Sequence, residues 1–233
     1  MSGTLIGVGL GPGDPDLMTL AAVRAIGGAQ VVAYPALPAT PSFARSIAAA
    51  HIAPGAYEIV IEVPMTRARE PAQAAYDLGA ERISEALSSG SDVAVLCEGD
   101  PLFYGSFMYL HARLAPRFAT RIIPGVTSVT ASAARAAIPL TARNEVLTVI
   151  PGPLPSAEMA ARIEAADAVA IMKVGRHLSR IRDVLSTMGL AARATYVERA
   201  TLAEERILPL SEAPDPAPYF SMILVTKGAD PWL

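Results

Sequence analysis

The sequence predicts an α/β fold made of two successive domains, and three observations carry that expectation. Over the first 123 residues, short apolar runs alternate with segments of helical period, the pattern of a largely parallel sheet with helices between its strands. From Val146 onward strand-like runs outnumber helical ones, as in a mixed sheet. Three glycine-bearing turns each join an apolar run to a helical segment, the place where open α/β sheets gather ligands.

Taken in order, Thr4 to Val8 reads as a strand and Asp16 to Ile26 as a helix stopped by Gly27 and Gly28. Gln30 to Tyr34 is a second strand, ended by Pro35, and Ser42 can cap a helix running to about His51. Tyr57 to Val63 alternates like a strand, and Pro71 to Leu87 is a long amphipathic helix that stops at Ser88-Ser89-Gly90. Asp92 to Cys97 is apolar beyond its first residue, as a strand buried on both faces should be. Asp100 followed by Pro101 is a strong helix start. Arg121 to Pro124 is a short strand and Val126 to Ala137 a helix. In the second half, strands are expected at Val146 to Ile150, Ala168 to Met172, Ala194 to Glu198, Arg206 to Pro209 and Ser221 to Thr226, with helices at about Ser156 to Ala165 and Leu178 to Met188. The proline-rich Ser211 to Pro218 stretch reads as a surface loop. A boundary near Ile123 gives an N-terminal α/β domain over 1–123 with a mostly parallel sheet and a C-terminal α/β domain over 124–233 with a mixed one. No internal repeat is visible.

Composition narrows the function. Hydrophobic residues make up 52% of 233 and charged residues 18%, enough to build a core and too apolar for a disordered chain. The mean hydropathy of +0.37 raises the question of a membrane. No run approaches the ~18 apolar residues a bilayer span needs, and the richest stretch, Leu20 to Ala36, is broken by Arg24, Gln30 and Pro35. Met1 to Leu10 lacks the basic start and long apolar core of a signal peptide, so the cytoplasm is the expected compartment. Cys97 is the only cysteine, which excludes an intrachain disulfide. His51, His111 and His177 are scattered, so no metal site is expected. A net charge of -3 gives no drive toward nucleic acid. Lys173 and Lys227 are the only lysines among 19 basic residues, and some of the arginines are suited to gripping carboxylates.

The first turn, Gly7-Val8-Gly9-Leu10-Gly11-Pro12-Gly13-Asp14-Pro15, resembles a dinucleotide fingerprint only at first sight. Counting from Gly9 and Gly11, the third glycine position is Asp14; counting from Gly7 and Gly9, it is Pro12. Val31 to Ala36 lacks the acidic residue that would hold a ribose, and no Gly-Lys-Ser/Thr follows. Asp14 sets negative charge where a phosphate would sit, so the turn suits an uncharged or cationic ligand, or serves as a tight structural turn. The second turn, Glu98-Gly99-Asp100-Pro101-Leu102-Phe103-Tyr104-Gly105, offers a carboxylate acceptor and two rings able to wall a flat ligand. The third, Ile123-Pro124-Gly125-Val126-Thr127-Ser128, brings two hydroxyls to a helix start, as caps or as ligand contacts.

The three turns in this order resemble the tetrapyrrole methylase family, in the Gly-Pro-Gly-Asp, Gly-Asp-Pro and Pro-Gly-Val-Thr/Ser patterns at Gly11 to Asp14, Gly99 to Pro101 and Pro124 to Ser128. Met172-Lys173-Val174-Gly175, Glu198-Arg199-Ala200-Thr201 and Val225-Thr226-Lys227-Gly228 extend the resemblance over nearly the whole chain. It implies two α/β domains with the cofactor cleft between them, of tetrapyrrole methylase type and not the common Rossmann methyltransferase. It implies S-adenosyl-L-methionine as methyl donor, S-adenosyl-L-homocysteine as product, a tetrapyrrole as substrate, and a homodimer. By position, Pro12, Gly99, Asp100, Phe103, Thr127, Ser128, Met172, Ala200 and Thr201 are the implied cofactor contacts. Glu98 to Leu110 and Val32-Ala33-Tyr34-Pro35 are most similar to members acting at C20 of precorrin-2; cobalt-factor II is the alternative substrate. Members acting on uroporphyrinogen III tend to carry an aspartate where Tyr34 stands. No catalytic residue is assigned, with Tyr34 and Glu98 the side chains considered for a proton. Tyr34, Arg67 and Arg69 are expected at the substrate, and Arg113, Arg117, Arg121, Arg135 and Arg143 are further cations for its carboxylates. Methylation of RNA or of a protein histidine is a second reading within the family, and a non-catalytic cofactor-binding module is a third.

Overall fold

A computed structural model of the chain describes residues 1–66 and 68–228. The chain divides into two compact units, Met1–Thr127 and Ser128–Leu233, each with its own sheet and core.

In the first unit, β1 (Leu5–Gly9), β2 (Val31–Ala36), β3 (Tyr57–Glu62), β4 (Val93–Cys97) and β5 (Thr120–Ile123) lie in the order β3-β2-β4-β1-β5, all parallel. They are joined through α1 (Leu20–Gly28), α2 (Phe43–Ala48), α3 (Glu70–Ser88) and α4 (Phe107–Leu114). Strand alternation sorts the side chains onto two faces. Val8, Val32, Tyr34, Ala94 and Leu96 pack with Ala22 and Ile26 of α1 and Ala44 and Ile47 of α2. Leu5, Ala33, Val93, Val95 and Cys97 pack with Ile83 and Leu87 of α3 and Phe107, Leu110 and Leu114 of α4. Leu5, Ile26, Ile83 and Leu96 are fully buried, each contributing roughly 1.5–3 kcal/mol.

This topology contains a switch point between β1 and β4. From β1 the chain passes to α1 on one face, and from the adjacent β4 it passes to α4 on the other. Beyond the carboxyl ends of β1 and β4 the two connections diverge and leave the crevice that open α/β sheets use for ligands.

In the second unit, β6 (Leu147–Pro151), β7 (Ala168–Met172), β8 (Ala194–Glu198), β9 (Arg206–Pro209) and β10 (Ser221–Thr226) lie in the order β6-β7-β10-β8-β9. β6 and β7 are parallel, and β10 runs antiparallel to both β7 and β8, which makes the sheet mixed. α5 (Ser128–Ala136) covers one face through Val129 and Ala133. α6 (Ser156–Glu164) and α7 (Leu178–Thr187) cover the other through Met159, Ile163, Leu178, Ile181 and Leu185.

Several elements depart from expectation, three of them around the turns and the proline-rich stretch. The helix expected from Asp16 begins at Leu20, because Thr19 caps it by accepting the Ala22 N–H at 3.1 Å and Pro15–Leu17 form a separate 3-10 turn. Pro101 starts no helix: Tyr104 adopts φ +56, which breaks a helical run, and α4 opens only at Phe107. The Ser211 to Pro218 stretch is not purely a surface loop, since Ala213 and Ala217 are buried against the α6 and α7 face of the sheet.

Candidate functional site

The three expected turns meet at the carboxyl edge of the first unit's sheet. Leu10 donates its N–H to the Cys97 carbonyl at 2.9 Å, and Gly11 and Gly99 exchange backbone hydrogen bonds at 3.2 and 2.7 Å. The first and second turns are thereby fastened as one more rung past β1 and β4. The third turn closes on both. A Cβ on Gly9 would lie 2.5 Å from the Gly125 nitrogen, and one on Gly125 would collide with the Gly99 carbonyl oxygen. Side chains at these two positions are excluded by close backbone approach.

Asp100 fixes the arrangement. One carboxylate oxygen accepts the N–H groups of Leu102 at 2.9 Å and Phe103 at 3.2 Å, and the other accepts that of Gly125 at 3.1 Å. Its charge therefore sets the course of the second turn and ties it to the third. Phe103 and Tyr104 stand edge to face with centroids 5.3 Å apart, and Phe103 is 36% exposed, so its ring faces outward as a wall and not into the core. Pro12 is half-buried. Asp14 is turned to its own chain, accepting the Asp16 N–H at 2.9 Å to cap the 3-10 turn. Thr127 directly precedes Ser128, the first residue of α5.

The implied cofactor residues of the second unit gather around α5. Met172 ends β7 half-buried, and Ala200 follows β8; both pack against the cluster that contains Val129 and Ala133. Thr201 has φ +72, and its N–H donates to Glu205 at 2.7 Å. Arg135 of α5 donates through Nε to both Glu205 oxygens at 2.9 Å. That ion pair, between residues 70 apart in sequence, left no signal in the linear pattern. The carboxylate of Glu198 faces the opposite side: it is 3% exposed and accepts the Tyr196 hydroxyl at 2.6 Å.

Of the side chains expected at the substrate, Tyr34 is 6% exposed, and its hydroxyl donates to Glu58 at 2.6 Å. Arg45 grips the same carboxylate through two bonds of 2.7 and 2.8 Å. The Arg45 guanidinium holds Glu58 below the usual carboxylate range, while burial first, and Glu58 second, push the Tyr34 phenol up. A phenol so held is a poor proton acceptor. Arg69 is exposed at the N-cap of α3, and Arg67 lies outside the described residues. Arg113 is bound to Asp77 at 2.6 Å, Arg117 donates to Ser84 at 3.0 Å, and Arg135 is held by Glu205, so the protein itself answers three of the expected cations.

Burial pushes the Glu98 carboxyl up, its own N–H and that of Ala44 acting against the shift. Burial, then the charge of Glu98, pushes the neighbouring Cys97 thiol up to about 12, which leaves it inert. Among the described residues no cluster of His, Cys, Asp or Glu is placed to hold a metal ion, and no helix is long and apolar enough to cross a membrane.

Comparison with known proteins adds independent findings. A family model described as tetrapyrrole (corrin/porphyrin) methylases matches residues 4–214. The chain is 46% identical to the cobalamin biosynthesis protein CobIJ of Mycobacterium tuberculosis, over 97% of its own length and 46% of the relative's, so it spans about half of that protein. It is 42% identical to a precorrin-2 C(20)-methyltransferase of a Sinorhizobium species, over 98% of this chain and 97% of the other. Among solved structures, the uroporphyrin-III C-methyl transferase of Thermus thermophilus complexed with S-adenosylhomocysteine superposes with a TM-score of 0.68 at 25% identity, covering 96% of this chain and 97% of that one.

Proposed function

This chain belongs to the tetrapyrrole methylase family, and from that membership we propose that it transfers a methyl group from S-adenosylmethionine to C20 of precorrin-2, giving precorrin-3A and S-adenosylhomocysteine. The observation that carries the substrate is the 42% identity, end to end on both chains, with a precorrin-2 C(20)-methyltransferase.

The first unit's crevice fits such a donor. Its turns present open backbone at Gly99 and an outward ring at Phe103, and the acidic Asp14 follows the first turn, a set that suits an uncharged or cationic ligand without phosphate. Pro12, Gly99, Phe103 and Thr127 in that unit, and Ser128, Met172, Ala200 and Thr201 in the other, are the proposed contacts, with Asp100 holding the turns in register. Tyr34, Arg67 and Arg69 remain the proposed substrate side chains.

Bound S-adenosylmethionine supplies a methyl group on a sulfonium, a good leaving group. The protein's part is to orient acceptor carbon and methyl in line and to keep them there. Such fixation is worth on the order of 7–11 kcal/mol in favourable cases. The glycine-on-glycine packing and the three N–H bonds to Asp100 resist displacement of the turns that do this. A homodimer, which rests on the family resemblance, and a cytoplasmic location belong to the same proposal.

The test is anaerobic incubation of the purified chain with S-adenosylmethionine and either metal-free precorrin-2 or cobalt-factor II, followed by mass spectrometry. Gain of one methyl group on either supports the reading and chooses between the metal-free and cobalt substrates. Intact binding of S-adenosylhomocysteine with no gain on either overturns the substrate.

A further inference from the structure

Just past β8 the backbone twice enters the left-handed region that side chains disfavour: Arg199 has φ +49 and Thr201 φ +72. The Leu202 N–H donates to the Arg199 carbonyl at 2.9 Å and closes a β-turn in which Thr201 takes the third place. A positive φ there is the usual province of glycine, and a β-branched residue that adopts it is an outlier. Such residues persist where the surroundings over-determine them, and they concentrate at active sites and ligand clamps. Ala200 lies between the two, half-buried, and among the described residues no hydrogen bond of the protein takes up its N–H or carbonyl.

The turn is clamped from two sides. On one, the Arg199 N–H donates at 2.8 Å to the carbonyl of Phe220, the residue before β10. On the other stands Glu205, whose side chain is 12% exposed and accepts the Thr201 N–H at 2.7 Å. Arg135 locks that carboxylate, with Nε at 2.9 Å from both oxygens and a terminal nitrogen at 2.8 Å from Oε1. The guanidinium holds the Glu205 carboxyl below its usual range, so the acceptor facing Thr201 is charged, and charge-assisted bonds of this kind are the strong ones. Arg135 lies in the last turn of α5, about two helical turns beyond Ser128. One carboxylate thus ties the strained turn to the helix that Ser128 opens.

We propose that Glu205, locked by Arg135, is a positioning residue for methyl-donor binding: it holds the Arg199 to Leu202 turn in its left-handed course and so sets the surface that Ala200 and Thr201 present to S-adenosylmethionine. The inference rests on the cofactor reading above. Glu205 acts through the Thr201 N–H and not by touching the donor. A glycine in place of Thr201 would follow the same course unaided, but it would leave the empty turn free to take others. Threonine held by a carboxylate keeps the turn in one course before the donor arrives, so that binding does not bear the cost of ordering it.

The experiment uses the full chain and reads S-adenosylhomocysteine affinity by calorimetry, below the melting transition of each variant. Glu205→Ala should weaken binding at least about tenfold. Glu205→Gln should lose less, because its amide oxygen still accepts the Thr201 N–H. In a Thr201→Gly background, Glu205→Ala should cost at least about threefold less affinity than in the parent, because glycine adopts the turn unaided. Affinity of folded Glu205→Ala within about threefold of the parent overturns the inference, whatever the melting temperature. An equal loss in both backgrounds also overturns it, since a role that does not pass through the Thr201 backbone would give that result. Should Glu205→Ala not fold, Glu205→Gln and Arg135→Gln carry the comparison: weaker binding by the folded variants supports the inference, and parental affinity in both overturns it. If the unmodified chain does not bind S-adenosylhomocysteine, the cofactor reading and this inference fall together. If it binds yet methylates neither tetrapyrrole, the substrate reading alone falls.

Discussion

At the scale of single residues, Asp100 is the side chain on which the site's geometry turns. Its carboxylate receives three backbone N–H groups from two turns that are 25 residues apart. Asp100→Asn keeps the shape but replaces one acceptor oxygen with a donor, leaving either Gly125 or the Leu102 and Phe103 pair unanswered. The expected cost is about 1–3 kcal/mol, seen as a lower melting temperature together with weaker binding of S-adenosylhomocysteine. An unchanged melting temperature would show that the bonds to Asp100 carry no weight. The sequence points to Asp100 as cap or ligand, but its bond to Gly125 is invisible there, because no local pattern links the two turns. Tyr34 shows the same limit: the chain near it announces a strand-end aromatic, while its partner Glu58 arrives from the next strand and Arg45 from the helix between.

At the scale of elements, the strands were the most legible features. β7, β8, β9 and β10 fall on the expected residues, each a run of four to six residues built around apolar or β-branched side chains. β2 runs on through Pro35, where a stop was expected, for a topological reason. It pairs with β4 only as far as Ala33 and thereafter with β3 alone, so the missing N–H of Pro35 faces no partner strand. The glycine turns were recognisable as ligand-shaped, but their mutual packing was not. Gly125→Ala tests that packing. The added methyl must displace the Gly99 carbonyl, so S-adenosylhomocysteine affinity should fall at least about tenfold, or ~1.4 kcal/mol. Affinity equal to that of the parent would mean that the three turns do not shape the binding surface together.

At the scale of the whole molecule, the balance between ion-paired carboxylates and partly buried ones sets the response to pH. Arg45 lowers the folded-state value of Glu58, and Arg135 that of Glu205. The stability these groups contribute is therefore present above the ordinary carboxylate range, near about pH 4, and is lost as pH falls through the folded values. Glu98 is displaced in the opposite sense. Its burial favours the protonated form, so its contribution is greatest at low pH and declines as pH rises through its raised value. Thermal melts from neutral to acid pH should show stability falling below about pH 4, and Arg135→Gln should flatten that fall by releasing Glu205. A fall that begins well above the carboxylate range, or one untouched by Arg135→Gln, would contradict this assignment.

The family was legible because its three turns are local and ordered along the chain, whereas the contacts that hold them together, Gly11 with Gly99 and Asp100 with Gly125, join residues distant in sequence. Charge alone also failed to sort the arginines: Arg113, Arg117 and Arg135 serve the protein's own Asp77, Ser84 and Glu205. The most direct test of the central claim follows the methyl group itself. With S-adenosylmethionine labelled with carbon-13 at the methyl and precorrin-2 as acceptor, the account predicts one labelled methyl in the product, located at C20 by NMR. A labelled methyl on any other carbon, or none on the macrocycle while the donor remains bound, would contradict it.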